Sequence, residues 1–343
     1  MAGEAGRLAK FLWTYKLGRT RLSYGPIFVW LEPTNRCNLR CPLCPTGEGL
    51  GRKRGEMTMD LFRHILEKLN EAPPLLLTLH LAGEPLLAGN IFEMIRLAKE
   101  AGVQTTLSTN ATLLSPEMSR RLIQAGLDSI RLDFSASRET FEKVRLGASW
   151  EKVYANILGL LKAKAELNVQ RPIVRIKEVS LPSASHRERV RAMRELKSLF
   201  HGFPVKGFSS LEIHNWAGAF ATEHEDLGEA HRRRRGLRPC SHLWTSLAIT
   251  YDGLVVPCCR DLEAECVVGD LKTQSLMDIW NGEKLRAMRE AMVKRDVGHV
   301  ALCAKCSRLY QNPRFVFYTF GFIYMRLDQL FSGIVRALSK PRR

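Results

Sequence analysis

No stretch of these 343 residues is apolar over the length of a bilayer. Phe315 to Met325 is an eleven-residue apolar and aromatic run, closed off by Arg326 and Asp328. Leu327, Leu330, Phe331, Ile334 and Leu338 continue it at helical spacing, which suits a helix lying in a membrane interface or packed back on the core, not a span. A secretory leader is missing too: Met1 to Lys16 has no apolar core of that kind, and Glu4 does not suit an organellar transit peptide. Nine cysteines without a leader argue against a disulfide framework and for metal or cluster ligation in a reducing compartment, so a cytoplasmic protein is expected. Acid is scarce, with 35 Asp and Glu against 52 Lys and Arg, a net charge of +17. Residues 1–26 carry +4, from Arg7, Lys10, Lys16, Arg19 and Arg21 against Glu4, and residues 314–343 carry +5. Basic ends interleaved with Phe, Trp, Tyr and Leu suit an anionic membrane surface or nucleic-acid phosphates, or simply keep the chain in solution.

What the chain does have is a cysteine loop, Cys37-Asn38-Leu39-Arg40-Cys41-Pro42-Leu43-Cys44, in the spacing C-x3-C-x2-C. Three thiolates this close can hold three irons of a 4Fe–4S cluster and leave the fourth open to an outside ligand. Zinc would need a fourth ligand, and His64 is the nearest. Ile27 to Glu32, apolar and rich in strand formers, reads as a buried strand delivering the loop to a sheet end.

From there strand-like and helix-like runs alternate. Helices are expected at 58–70, 91–101, 116–125 with Ser115 as cap, 138–146, 150–168 and 186–200; strands at 75–81, 103–108, 129–134, 172–180 and 204–214. Residues 8–17 form a short basic amphipathic segment. About six strand–helix repeats predict a parallel sheet with helices outside it, an α/β fold. The divisions are an N-terminal extension at 1–26, the α/β unit at 27–220, a linker at 221–239, a cysteine-bearing module at 240–310 and a basic tail at 311–343.

The cysteine loop with Glu32-Pro33-Thr34-Asn35-Arg36 before it resembles the signature of the radical S-adenosylmethionine (radical SAM) enzymes, although Leu43 stands where the family often has an aromatic. The resemblance implies a partial (β/α)6 TIM-like barrel. It also implies a 4Fe–4S cluster on Cys37, Cys41 and Cys44 that chelates and cleaves S-adenosylmethionine, and an electron donor such as flavodoxin or ferredoxin. Ala82-Gly83-Glu84-Pro85 is similar to the family's Gly-Gly-Glu-Pro motif, which implies contact of Gly83, Glu84 and Pro85 with the cofactor's methionine ammonium. Ser108 and Asn110, then Asp133 and Ser135, end the following strands where the family places polar contacts to the cofactor. Arg175 and Lys177, two apart on one strand face, are candidates for the cofactor carboxylate. His214, Asn215 and Trp216 are candidate substrate contacts.

In the module, Leu247 to Val256 reads as a hairpin turning at Asp252-Gly253, and Cys303-Ala-Lys-Cys306 is a C-x2-C knuckle. Spacing alone allows a structural zinc site or an iron–sulfur cluster equally. The module resembles the SPASM extension of radical SAM enzymes, with Asp278 to Asn281 on its usual helix. No cysteine follows Cys306, so the resemblance implies one auxiliary 4Fe–4S cluster, on Cys240, Cys258, Cys303 and Cys306. Cys259 and Cys266 are then spare, and Cys266 could replace one of the four.

The expected activity is therefore reductive cleavage of S-adenosylmethionine to a 5′-deoxyadenosyl radical and oxidation of a small-molecule, sugar or lipid-linked substrate, the auxiliary cluster assisting. Peptide modification and carbon–carbon or carbon–sulfur bond formation are the alternatives within the family. A zinc-stabilised basic nucleic-acid-binding protein is the reading of another class. Gly83-Glu84-Pro85 argues against it, since such a protein has no use for a cofactor turn at a strand end, and nucleic acid is not the expected partner.

Overall fold

The computed structural model describes residues 2–181, 183–210, 215–219, 237 and 239–310. Most of the expected linker, His214 and the C-terminal tail at 311–343 lie outside the described residues. Six parallel strands stand side by side in chain order: β1 (Phe28–Leu31), β2 (Leu76–Thr78), β3 (Thr105–Thr109), β4 (Ser129–Phe134), β5 (Ile173–Glu178) and β6 (Gly207–Ser210). This is the expected partial barrel.

A helix α1 (Ala2–Lys16) precedes the strands, and the crossovers carry α2 (Met59–Leu69), α3 (Ile91–Glu100), α4 (Pro116–Ala125), α5 (Arg138–Val144), α6 (Trp150–Glu166) and α7 (His186–Leu199). Their starts are set locally. Thr58, Ser115, Ser137, Ser149 and Ser185 each accept a backbone N–H of the first turn, and Ser185 completes a capping box with Glu188. Gly126 closes α4 in the left-handed region at φ +86°. Strand β4 and helix α4 have the bounds expected, whereas β2 is shorter than 75–81 and α1 begins earlier than residue 8.

Along β4 and β5 exposure alternates strictly. Ile130, Leu132 and Phe134 point to the helices, where Phe134 meets the rings of Phe141, Trp150, Tyr154 and Phe200. Arg131, Asp133, Arg175 and Lys177 therefore face the other way, into the barrel, with Arg131 opposite Arg175 and Asp133 opposite Lys177.

The cysteine-bearing module continues the same sheet. Its first strand, β7 (Ser246–Ile249), pairs parallel with β1, and β8 (Leu254–Val256) and β9 (Gly269–Asp270) follow antiparallel. Gly253 at φ +89° makes the expected hairpin turn. The pairing covers an edge of β1 whose N–H and C=O groups would otherwise be open. Helices α8 (Leu276–Trp280) and α9 (Glu283–Lys294) complete the module; the Arg289 guanidinium lies 4.4 Å from the centre of the buried Trp280 ring. Among the described residues no helix is long and apolar enough to cross a membrane.

Leu132 has no exposed surface at the middle of this packing. Leu132→Ala is expected to lower unfolding stability by about 2–5 kcal/mol, read by chemical denaturation.

Candidate cluster and cofactor site

The cysteine loop leaves the end of β1 through a segment clamped on several sides. Glu32, without exposed surface, accepts two bonds from Arg52 (2.7 and 3.0 Å), one from the Ala82 N–H (3.3 Å) and one from the Tyr251 N–H (3.1 Å). Asn35 exchanges bonds with Lys53 O and the Gly55 N–H, and the Thr34 hydroxyl donates to Gly55 O. Gly83 presses on the same segment so closely that a Cβ there would lie 2.3 Å from Thr34 O and 2.5 Å from Arg36 O. Gly47 does the same against Cys41, at 2.4 Å from its carbonyl oxygen. These glycines are required by backbone approach. Farther along, Asn38 is held by Asn110 and Thr112, and Leu43 O accepts the Trp216 indole N–H at 2.9 Å.

Cys37, Cys41 and Cys44 are unbridged, half-buried and electrostatically coupled. Burial pushes the Cys37 thiol up to about 11; the Leu39 N–H opposes this, and Glu84 and the other two cysteines add to it. Burial also raises Cys41, against the pull of Arg145. Thiols that resist ionising beside one another become stable thiolates when positive charge enters between them, which iron supplies. The donor set therefore fits a cluster. Among the described residues no three His, Cys, Asp or Glu side chains are drawn tightly enough to hold one metal ion, and a cubane, which gives each thiolate its own iron, does not require that.

The Glu84 carboxylate is buried and accepts bonds from the Thr109 hydroxyl (2.6 Å), the Asn110 N–H (2.8 Å) and the Leu86 N–H (3.1 Å). Burial nevertheless pushes it up to about 7. It thus fastens the Gly83–Pro85 turn to the end of β3, and Asn110 fastens that end to Asn38 (3.0 Å). The Ser108 N–H donates to Nδ1 of His80 at 3.0 Å, so the ring carries its proton on Nε2. Burial, Arg131 and Lys177 hold His80 down at about 3, neutral at physiological pH.

Asp133 pairs with Arg145 at 2.5 Å. Burial alone would raise its carboxyl, but Lys177 and Arg145 hold it below the ordinary range. Its Oδ1 and the Ser135 hydroxyl are buried without a hydrogen-bond partner, two polar atoms at one strand end that a bound polar molecule could satisfy. Arg145 also bears on Cys41 and Cys44, which links this strand end to the cysteine loop. Sequence reading missed Glu32, Arg52, His80, Arg131 and Arg145. Alternation along β4 pointed to Arg131, two before Asp133; nothing local marks Arg145.

In the module Cys240, Cys258, Cys303 and Cys306 interact electrostatically, and Cys259 and Cys266 bear on the same group, Cys259 through Cys258 and Cys240 and Cys266 through Cys303. The Cys259 thiol donates to Cys258 and lowers the Cys258 thiol below its ordinary value. The Arg260 guanidinium stands 4.0 Å from the Cys258 sulfur. Cys266 sits on a separate turn, its N–H bonded to Asp261 (2.9 Å). Asn215 holds the knuckle, its amide donating to Lys305 O (2.7 Å) and its Oδ1 accepting the Ser307 N–H (3.1 Å). Of the expected substrate contacts, then, Asn215 and Trp216 join the two cysteine sets.

A three-cysteine loop at the end of β1, linked through Asn215 and Trp216 to a second cysteine-bearing module, has the donor chemistry of an iron–sulfur enzyme. The radical SAM superfamily matches residues 31–178, and the iron–sulfur cluster-binding SPASM domain matches residues 240–307. The tungsten-containing aldehyde ferredoxin oxidoreductase cofactor-modifying protein of Pyrococcus furiosus is 26% identical over 298 residues, covering 75% of this chain and 81% of that one. A PqqA peptide cyclase of Rhodopseudomonas palustris is 35% identical over 127 residues, which are 36% of this chain and 33% of that one. The structure of BtrN with AdoMet and 2-DOIA has the same fold, with a TM-score of 0.56 at 18% identity over 82% of this chain and 92% of that one. The chain belongs to the radical SAM superfamily and carries a SPASM domain, so its cofactors are a 4Fe–4S cluster with S-adenosylmethionine and auxiliary iron–sulfur.

Gly83→Ala should displace the loop. Iron is expected to fall from about eight to about four per chain, with circular dichroism unchanged. A second expectation follows from Glu84. Its folded value lies above the unfolded one, so the folded state holds the extra proton and loses stability as pH rises from about 4.5 to about 7. Denaturation of the metal-free protein should show a decline on the order of 3 kcal/mol over that window, absent in Glu84→Gln.

Proposed function

We propose that the protein oxidises a small-molecule, sugar or lipid-linked substrate by two electrons, with Cys37, Cys41 and Cys44 holding the radical-generating cluster and Cys240, Cys258, Cys303 and Cys306 holding one auxiliary cluster. When bound, these groups supply a 5′-deoxyadenosyl radical and an electron sink. The observation that carries the reading is the Asn215–Trp216 link, one residue bonded to the knuckle and the next to the cysteine loop. It ties the loop of Cys37, Cys41 and Cys44 to the Cys303–Cys306 knuckle, which supports an auxiliary group serving as electron acceptor.

The remaining roles belong to the chain itself. Gly83 lets backbone and cofactor approach, while Glu84 and Asn110 hold that turn and the end of β3 in register. Ser108, Asp133, Ser135, Arg175 and Lys177 offer polar and cationic groups to the cofactor's carboxylate and ribose. His80, neutral, can give or take a hydrogen bond at Nε2 without adding charge. An external donor such as flavodoxin or ferredoxin supplies the electron, and the protein works in the cytoplasm with its basic termini at the inner membrane surface.

Peptide modification is the second reading, favoured by the likeness to a PqqA peptide cyclase. The test is iron and sulfide content after anaerobic purification, beside a Cys37/Cys41/Cys44→Ala variant. About eight irons falling to about four, with loss of 5′-deoxyadenosine release under dithionite, is expected. About four falling to none would remove the auxiliary cluster and with it the oxidation argument.

A further inference from the structure

Helix α1 has two apolar stripes. The inner one docks it: Phe11 is fully buried, Leu8 and Tyr15 pack on the core, and the Tyr15 hydroxyl donates to Pro239 O at 2.6 Å. The outer one faces solvent, with Trp13 66% exposed, Leu17 47% and Leu12 37%. The helix exits through Gly18 at φ +62°, where a Cβ would lie 3.0 Å from Val293. That contact brings Val293, 43% exposed, onto the same patch. Leu12, Trp13 and Leu17 on α1 and its exit, with Val293 beside Gly18, are four of the nine large exposed apolar side chains among the described residues.

The charges around them are mostly basic. Lys10, Lys16 and Arg19 are exposed on α1 and its exit, and Lys294 and Arg295 at the end of α9; the acids on that stretch are Glu290 and Asp296. An exposed indole flanked by lysines on a helix already anchored from behind matches the headgroup layer of a bilayer. There the ring sits at the polar boundary, the aliphatic groups reach below it, and the ammonium groups stay with the lipid phosphates. Nucleic acid would use the cations but gain nothing from Leu17 and Val293.

We propose that this face, Trp13, Leu17 and Val293 within a ring of lysine and arginine, seats the protein on an anionic lipid surface. The proposal rests on the membrane placement given above and not on the radical chemistry. Phe11 and Tyr15 keep α1 docked during seating, so no refolding is needed.

The test is cosedimentation of the full-length, cluster-loaded protein with vesicles of phosphatidylcholine alone and of phosphatidylcholine with phosphatidylglycerol. Binding to the anionic vesicles only, weakened by salt and cut about tenfold or more in Trp13→Ser/Leu17→Ser, is expected. Lys10→Gln/Lys16→Gln should weaken it as well. Iron content and 5′-deoxyadenosine release in the same preparations should be unchanged; their failure in the wild type would count against the radical reading and leave the vesicle result standing. No binding to anionic vesicles overturns the proposal, as does binding that the Trp13/Leu17 variant leaves intact. Preferential binding of an RNA oligonucleotide, indifferent to Trp13 and Leu17, would make nucleic acid the occupant and overturn it too.

Discussion

At the end of β1 a carboxylate wholly removed from water, Glu32, is held by the Arg52 guanidinium and by the N–H groups of Ala82 and Tyr251. The three partners come from the segment after the cysteine loop, from the turn after β2 and from the β7–β8 hairpin. A buried acid is tolerable only when its oxygens are satisfied, and removing one partner of such a pair costs on the order of 3–5 kcal/mol. The barrel, the cofactor turn and the module are thereby conditions on one another, and the cysteine loop starts from a fixed point. Gly83 adds the steric half of the same constraint, since no side chain fits between the turn and the loop.

The interior charges suit what these residues would hold. Arg131, Arg175 and Lys177 face the barrel interior, and Arg145 joins Asp133 to the cysteine loop. Burial, with Arg131 and Lys177 close by, keeps His80 neutral. In the module Arg260 lies among Cys240, Cys258, Cys259 and Cys306. Part of the chain's basic excess is therefore internal, facing the barrel and the cysteines, and only the remainder is available to an outside surface.

Much was legible locally. The C-x3-C-x2-C loop, the Gly83-Glu84-Pro85 turn, the serine caps and the Asp252-Gly253 hairpin are short-range features, because covalent spacing or a single turn's hydrogen bonds define them. The strand–helix alternation conveyed the parallel sheet through its period alone. Ala82, in place of the family's first glycine, meets Glu32 through its N–H.

Other features depend on which distant groups meet. Glu84 and Asn110, expected to contact the cofactor, also bond the Gly83–Pro85 turn to β3 and β3 to the cysteine loop, and Asn215 and Trp216, candidate substrate contacts, also link the two cysteine sets. Arg145 leaves no pattern in the chain, yet it reaches Asp133 and bears on Cys41. The sequence by itself determined the cysteine spacings and the alternation of strands and helices that makes a parallel sheet, because ligand spacing and hydrophobic period are properties of neighbouring residues. Only the tertiary structure decided how the two cysteine groups are coupled and which polar groups are already satisfied within the protein. Those depend on register and packing between segments far apart in the chain, and no local rule encodes them.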